Sequence, residues 1–283
     1  MRLGVHVSAA GRIYGAVERS HSLGCNTMQF FSRNPQQWRG EHYLETGDIN
    51  EFIRRSRNYR IEPVFIHIPY LINLASPNPR LYEASIEAYI EDILEAHLLK
   101  ADYIVTHMGS HKETSEEAGL KRLSQALNRI IKKTANTKVG ILLENTSGSG
   151  SWLGYKFMHQ RIVFDALADK KRLGLCFDTA HAYLAGYDIS TKDGLEEVLE
   201  EIDKTVGLQY LKLIHLNDAK GPLGSKHDRH EHIGKGNIGL AGMRRIINHP
   251  RLRKLPFILE TPREDEEANK IDLATVKRLR PKG

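Results

Sequence analysis

Six short apolar runs in this 283-residue chain each end in a side chain that can bind a metal ion or move a proton. His67 closes Val64-Phe-Ile-His67, and His107 closes Tyr103-Ile-Val-Thr-His107. Glu144 closes Ile141-Leu-Leu-Glu144, and Asp178 closes Leu175-Cys-Phe-Asp178. His215 ends Lys212-Leu-Ile-His215, and Glu260 ends Phe257-Ile-Leu-Glu260. One such residue alone is ordinarily a hydrogen-bonded rim group. Six in succession are different, because carboxylates crowded together repel and desolvate badly unless positive charge sits among them. Carboxylates and imidazoles without cysteine suit zinc, with manganese as a partial alternative. Carboxylates can bridge two ions, so Glu144 and Glu260 could hold a pair of metals about 3.5–4 Å apart.

Three further residues extend the set. Asp178-Thr-Ala-His181 puts an imidazole one turn beyond Asp178, at the expected start of a helix. Asp228-Arg-His230 lies in an irregular segment over 218–238, where an i, i+2 spacing sends both side chains to one side of extended chain. His181, Asp228 and His230 make a third metal site with room for water, as a catalytic zinc requires. The competing reading is a solvated loop, since Lys226-His-Asp-Arg-His-Glu-His232 holds three histidines and spacing does not choose among them.

The runs that carry these residues read as strands. Candidates are 2–7, 27–31, 63–67, 102–107, 138–144, 173–178, 211–217 and 256–260. They are nearly continuous in apolar residues, as strands covered on both faces must be. Amphipathic stretches follow them near 12–23, 48–59, 81–100, 116–135, 160–169, 193–205, 239–248 and 272–280. Eight βα units predict an α/β fold: a single (β/α)8 TIM barrel over 1–283, with the metal cluster at its C-terminal face. An open doubly wound sheet is the alternative.

Composition narrows the class. The net charge is +6, which favours an acidic partner such as nucleic acid. Cys25 and Cys176 are far apart, so neither a disulfide framework nor a cysteine-built zinc site is expected. The N-terminus runs straight into a strand with no leader pattern, and no apolar stretch is long enough to span a membrane. A cytoplasmic protein is expected.

With these residues in hand, the chain resembles the endonuclease IV family of abasic-site endonucleases. The likeness runs through Gly4-Val-His-Val-Ser-Ala-Ala-Gly11, His67-Ile-Pro-Tyr-Leu-Ile-Asn-Leu74, His107-Met-Gly-Ser110 and Leu143-Glu-Asn-Thr146. It continues in Phe177-Asp-Thr-Ala-His-Ala182, His215-Leu-Asn-Asp-Ala-Lys220, Asp228-Arg-His230, Gly234-Lys-Gly-Asn-Ile-Gly239 and Leu259-Glu-Thr-Pro262. Each is weak alone; in this order and spacing they are specific. The resemblance implies a zinc-dependent DNA-repair enzyme that hydrolyses the phosphodiester 5′ to an abasic site, leaving a 3′-hydroxyl and a 5′-deoxyribose phosphate. It implies three zinc ions: one on His67, His107 and Glu144, one on Glu144, Asp178, His215 and Glu260, and one on His181, Asp228 and His230. Glu144 and Glu260 would also assist catalysis.

The resemblance further implies duplex DNA as partner and a monomer with no obligate protein partner. Tyr70 and Leu71 would enter the base stack as an apolar wedge. Arg33, Asn34 and Trp38 would face the same rim, although Gln36 or Gln37 stands where some relatives carry an arginine, and Arg39 is a further substitute. Arg229, with Lys112, Lys220, Lys226 and Lys235, would meet phosphates. His6 would support the cluster by hydrogen bonding, while His21, His42, His97, His159 and His249 are bystanders. Two rivals share parts of this pattern. Sugar isomerases use strand-end ligands but need no third site, and a scaffold with structural metals would have closed, cysteine-rich sites.

Overall fold

The computed structural model describes residues 1–31, 33, 38, 44–262 and 266–280. Asn34, Gln36, Gln37, Arg39 and His42 lie outside the described residues. Seven strands come first: β1 (Leu3–Val5), β2 (Met28–Phe31), β3 (Val64–His67), β4 (Tyr103–His107), β5 (Gly140–Glu144), β6 (Leu173–Asp178) and β7 (Leu211–His215). A two-residue pair follows, β8 (Asp218–Ala219) and β9 (His230–Glu231), and β10 (Phe257–Leu259) completes the set. Eight of these run parallel in the order β1-β10-β7-β6-β5-β4-β3-β2. A parallel bridge between His6 and Gln29, with Val7 N–H donating to Gln29 O at 2.8 Å, joins the two edges and closes the barrel.

The helices are α1 (Gly15–Ser22), α2 (Thr46–Asn58), α3 (Pro79–Leu98), α4 (Glu116–Lys133), α5 (Phe157–Ala166), α6 (Thr179–Ala185), α7 (Lys192–Thr205), α8 (Gly239–Asn248) and α9 (Glu266–Leu279). In α4, Leu120, Leu123, Leu127, Ile130 and Ile131 are buried at helical spacing, so one stripe faces the sheet. Asn78 caps α3 ahead of Pro79, and Ser115 caps α4. The helix expected to start at His181 is α6, and the structure adds the β8–β9 pair to the eight βα units, because strands of two residues carry no periodicity of their own. It also starts α9 at Glu266, ahead of the expected 272.

The barrel interior explains why the polar residues converge. One buried layer inside it consists of Phe65, Val105, Leu142, Cys176, Leu213 and Ile258, one from each of β3, β4, β5, β6, β7 and β10. Side chains two apart on a strand share a face. Advancing two residues along each strand gives His67, His107, Glu144, Asp178, His215 and Glu260. The six polar groups therefore form the next layer above a dry floor. The same step from Gly4 on β1 gives His6. Gly4 is required because a Cβ there would collide with the Thr27 carbonyl and crowd Ile258.

On the outer side of the barrel, burial and neighbouring Asp92 push the Glu95 carboxyl up to about 7. A raised carboxyl contributes stability below its unfolded value that is lost as pH rises through the folded one. Glu95→Gln should therefore raise stability at pH 8 by about 1–2 kcal/mol after allowing for solvent screening. It should change little at pH 5. Denaturant melts at the two pH values check this, and an equal shift at both would contradict it.

Candidate metal centre

Glu144 lies at the middle of the polar layer and is fully buried. One of its oxygens, Oε2, is 3.2 Å from both His67 Nε2 and His107 Nε2. The other, Oε1, is 2.8 Å from His215 Nδ1, which is 3.1 Å from Glu260 Oε2 and 3.9 Å from Asp178 Oδ2. Two ligand-sized clusters thus meet at one carboxylate: His67, His107 and Glu144, and Glu144, Asp178, His215 and Glu260. In each, the candidate donor atoms lie within 4.8 Å of one another. A third cluster sits beside them. His181 Nε2 is 3.1 Å from Asp228 Oδ1 and 3.4 Å from His230 Nε2, and His230 Nε2 is 3.8 Å from Asp228 Oδ1. Asp178 also approaches His230 at 3.7 Å. Of the histidines in the 226–232 stretch, the structure turns His230 inward, while His232 pairs with Asp272 at 2.8 Å.

Four of the imidazoles, those of His67, His181, His215 and His230, are held in the tautomers that coordination needs. A carbonyl only accepts, so a ring nitrogen bonded to one carries the hydrogen. Nδ1 of His67 donates to Ile68 O, Nδ1 of His181 to Asn145 O, and Nδ1 of His230 to Glu260 O, at 2.8, 2.9 and 2.9 Å. Each leaves Nε2 facing its cluster. His215 is inverted: Nε2 meets Gln29 Oε1 at 2.8 Å, leaving Nδ1 toward Glu144 and Glu260. Such outer hydrogen bonds orient metal ligands and raise their basicity.

Sequence reasoning missed the neutral amides that do this. Gln29 Nε2 donates to Glu260 Oε1 at 2.6 Å and lies 3.0 Å from His6 Nδ1. Asn217 donates to Asp178 Oδ2 at 2.7 Å and accepts from the Glu260 N–H at 2.7 Å. The Asn145 side-chain amide brackets Asp178, donating to its backbone carbonyl and accepting from its backbone N–H. Trp152, also missed, sets its edge against His107 with centroids 5.6 Å apart. His6 lies 3.2 Å from Glu260, which fits its supporting role.

Electrostatics point the same way. Burial opposes ionisation of Glu144, yet His215 and His107 hold its carboxyl well below the usual range. Burial likewise opposes Glu260, and His215 and His6 hold it down. Burial disfavours charge on His181, but Asp178 and Asp228 outweigh it and push the imidazole well above its ordinary value. His215 is raised in the same sense. The cluster demands positive charge, and a divalent cation satisfies several of its carboxylates at once. The donor set of imidazole and carboxylate groups fits metal binding.

Above the layer lies an open cavity of about 420 Å³. His67, His107, His181, His230 and Glu260 form its floor, and Tyr70, Arg229 and Pro262 its rim. Tyr70 is 61% exposed, packs edge-on against Phe31, and is followed by half-buried Leu71. Trp38, Lys112, Lys220, Lys226, Arg229 and Lys235 are exposed. Arg33 corrects its sequence expectation. It is buried, its Nε and Nη2 donate to Asp92 Oδ1 at 2.9 and 2.6 Å, and it also bonds the carbonyls of Ala88 and Trp38. Its guanidinium joins Trp38 to α3 and does not face the rim. Of the expected bystanders, His21 stacks on Tyr59, His249 pairs with Glu196, and His159 accepts from the Gly154 N–H.

The chain can be compared with known proteins on this basis. The model of the xylose isomerase-like TIM barrels matches residues 17–281. A probable endonuclease 4 of Methanoculleus marisnigri is 43% identical over 277 residues, 98% of each chain. A probable endonuclease 4 of Halothermothrix orenii is 40% identical over 278 residues, covering 98% of this chain and 99% of its own. The crystal structure of endonuclease IV from Thermus thermophilus superposes with a TM-score of 0.87 at 34% identity, covering 99% of this chain and 98% of that one.

Proposed function

The chain belongs to the endonuclease IV family of DNA-repair endonucleases within the xylose isomerase-like TIM barrels, and from that premise we propose that it incises duplex DNA on the 5′ side of abasic sites. The products would be a 3′-hydroxyl and a 5′-deoxyribose phosphate. The observation that carries this reading is the convergence of nine imidazole and carboxylate residues under one open cavity. We assign one zinc to His67, His107 and Glu144, a second to Glu144, Asp178, His215 and Glu260, and a third to His181, Asp228 and His230. Divalent ions supply the Lewis acidity and positive charge that phosphodiester hydrolysis requires.

The chain's own groups do the rest. Glu144 or Glu260 would assist proton transfer from the attacking water, and Glu260 is the one of the two that lines the cavity. Arg229 at the rim, with the exposed Lys112, Lys220, Lys226 and Lys235, would meet phosphates, and Trp38 would contact the duplex. Tyr70 and Leu71 would enter the stack beside the lesion. A nucleotide without a base has lost pairing and stacking, so turning it into the cavity costs less than turning an intact one. The protein would act as a monomer, one catalytic domain over 1–283, in the cytoplasm. No described helix is long and apolar enough to cross a membrane.

The test is a labelled duplex, with and without one abasic site, incubated with zinc-replete protein beside a ketose–aldose isomerisation assay. A nick immediately 5′ to the lesion, extendable by a polymerase and suppressed steeply by salt, is the expected result. Equal cutting of both duplexes removes lesion specificity; sugar turnover without incision overturns the nuclease reading. Tyr70→Ala should weaken binding to the abasic duplex about tenfold to a hundredfold, the worth of about one stacking contact. Metal content should stay the same. Unchanged binding would return Tyr70 to a packing role against Phe31.

A further inference from the structure

The candidate ligands on the barrel strands and on α6 are held by the fold itself. Asp228 and His230 sit on neither: they lie within 218–238, whose stretch from Pro222 to Arg229 is largely exposed and meets α6 through the N–H groups of Gly224 and Lys226, which donate to the Tyr183 and Leu184 carbonyls at 3.1 and 2.9 Å. Ordering so long a segment costs conformational entropy, so something must fix it. We propose that Asp218 is the positioning residue of the third metal site, seating the loop that delivers Asp228 and His230 without itself binding a metal. This rests on the three-ion reading above.

Asp218 is fully buried. Its Oδ1 accepts the N–H of Ala219 at 2.8 Å and of Ile238 at 2.9 Å. Its Oδ2 accepts those of Gly234, Gly236 and Gly239 at 2.9, 3.1 and 3.2 Å. Both oxygens are thus spent on backbone, and the two ends of the loop are drawn to one carboxylate. The consequence for the site is direct. Pairing of β8 with β9 sets Ala219 opposite His230 and Asp218 opposite Glu231, so Asp218 lies one residue along from the pair that carries the ligand. The Asn237 amide reinforces it by donating to Lys220 O and Gly221 O at 2.9 and 3.0 Å. Gly236 lets the chain wrap this closely, since a Cβ there would lie 2.6 Å from Asp218 Oδ1 and 2.5 Å from Ala219 O.

Asp218→Asn tests the idea because it keeps shape and reverses polarity: the new NH2 group faces N–H donors that Oδ2 now accepts. The zinc-loaded variant should keep its circular dichroism and two ions but lose the third, as Asp228→Ala should. The zinc concentration for half-maximal incision should rise roughly 10–100-fold, as when partners of metal ligands are removed, with incision restored at saturating zinc. A residue that only stabilised the fold would not show that rescue. Gly236→Ala, which presses on the same carboxylate, should act in the same direction and serves if Asp218→Asn does not fold. Three ions held by Asp218→Asn at unchanged affinity would overturn the proposal. So would loss of all ions together with the fold in both variants. A wild-type chain holding fewer than three ions would instead sink the three-ion reading.

Discussion

Glu144→Ala is expected to lower incision at least about a thousandfold, equivalent to about 4 kcal/mol of lost transition-state stabilisation. The reason is its position: Oε2 faces His67 and His107 while Oε1 faces His215, so one truncation opens both neighbouring clusters. Metal content should fall with activity, because two of the assigned ions share this side chain. Circular dichroism should be unchanged, since the dry layer of Phe65, Val105, Leu142, Cys176, Leu213 and Ile258 beneath is untouched. Glu144→Gln, which keeps the volume and removes the charge, should fall nearly as far. A variant of either kind that nicks abasic duplex at near wild-type rate would show the metal pair to be wrongly assigned.

Arg33→Met should cost about 3–5 kcal/mol of stability, the usual penalty for breaking a buried ion pair from one side. Asp92 would stay buried without the guanidinium that donates to it twice, and the carbonyls of Ala88 and Trp38 would lose a donor. The salt dependence of DNA binding should not change, because Arg33 does not face the rim. Denaturant titration gives the first quantity and binding isotherms at several salt concentrations the second. A reduced salt slope at full stability would mean that Arg33 neutralises a phosphate after all.

The difference between these two residues shows what sequence can carry. Glu144 ends an apolar run, and strands covered on both faces advertise themselves as such runs, so its place on the barrel mouth was readable from the chain alone. The same holds for His67, His107, Asp178, His215 and Glu260. Arg33 also follows an apolar run, but its partner Asp92 is 59 positions away on α3. Nothing in the spacing announces that pairing. Gln29 and Asn217 were invisible for a related reason: a neutral amide looks alike whether it faces solvent or orients a ligand, and only the imidazole or carboxylate across from it tells which. The role of Asp218 was hidden too, because its five partners are backbone groups that carry no sequence signature.

The seam of the barrel has a consequence for biosynthesis. β10 inserts between β7 and β1, and it is the last strand to be made. Until it leaves the ribosome, the first strand has no partner on that side and Glu260 does not yet stand beside His215. Every earlier portion of the chain therefore lacks the carboxylate that faces both His215 and His6. Domains made at about 5–20 residues per second spend seconds in such partial states. On the ligand assignment proposed above, those seconds would be harmless to DNA, because the centre would be completed only with the final strand.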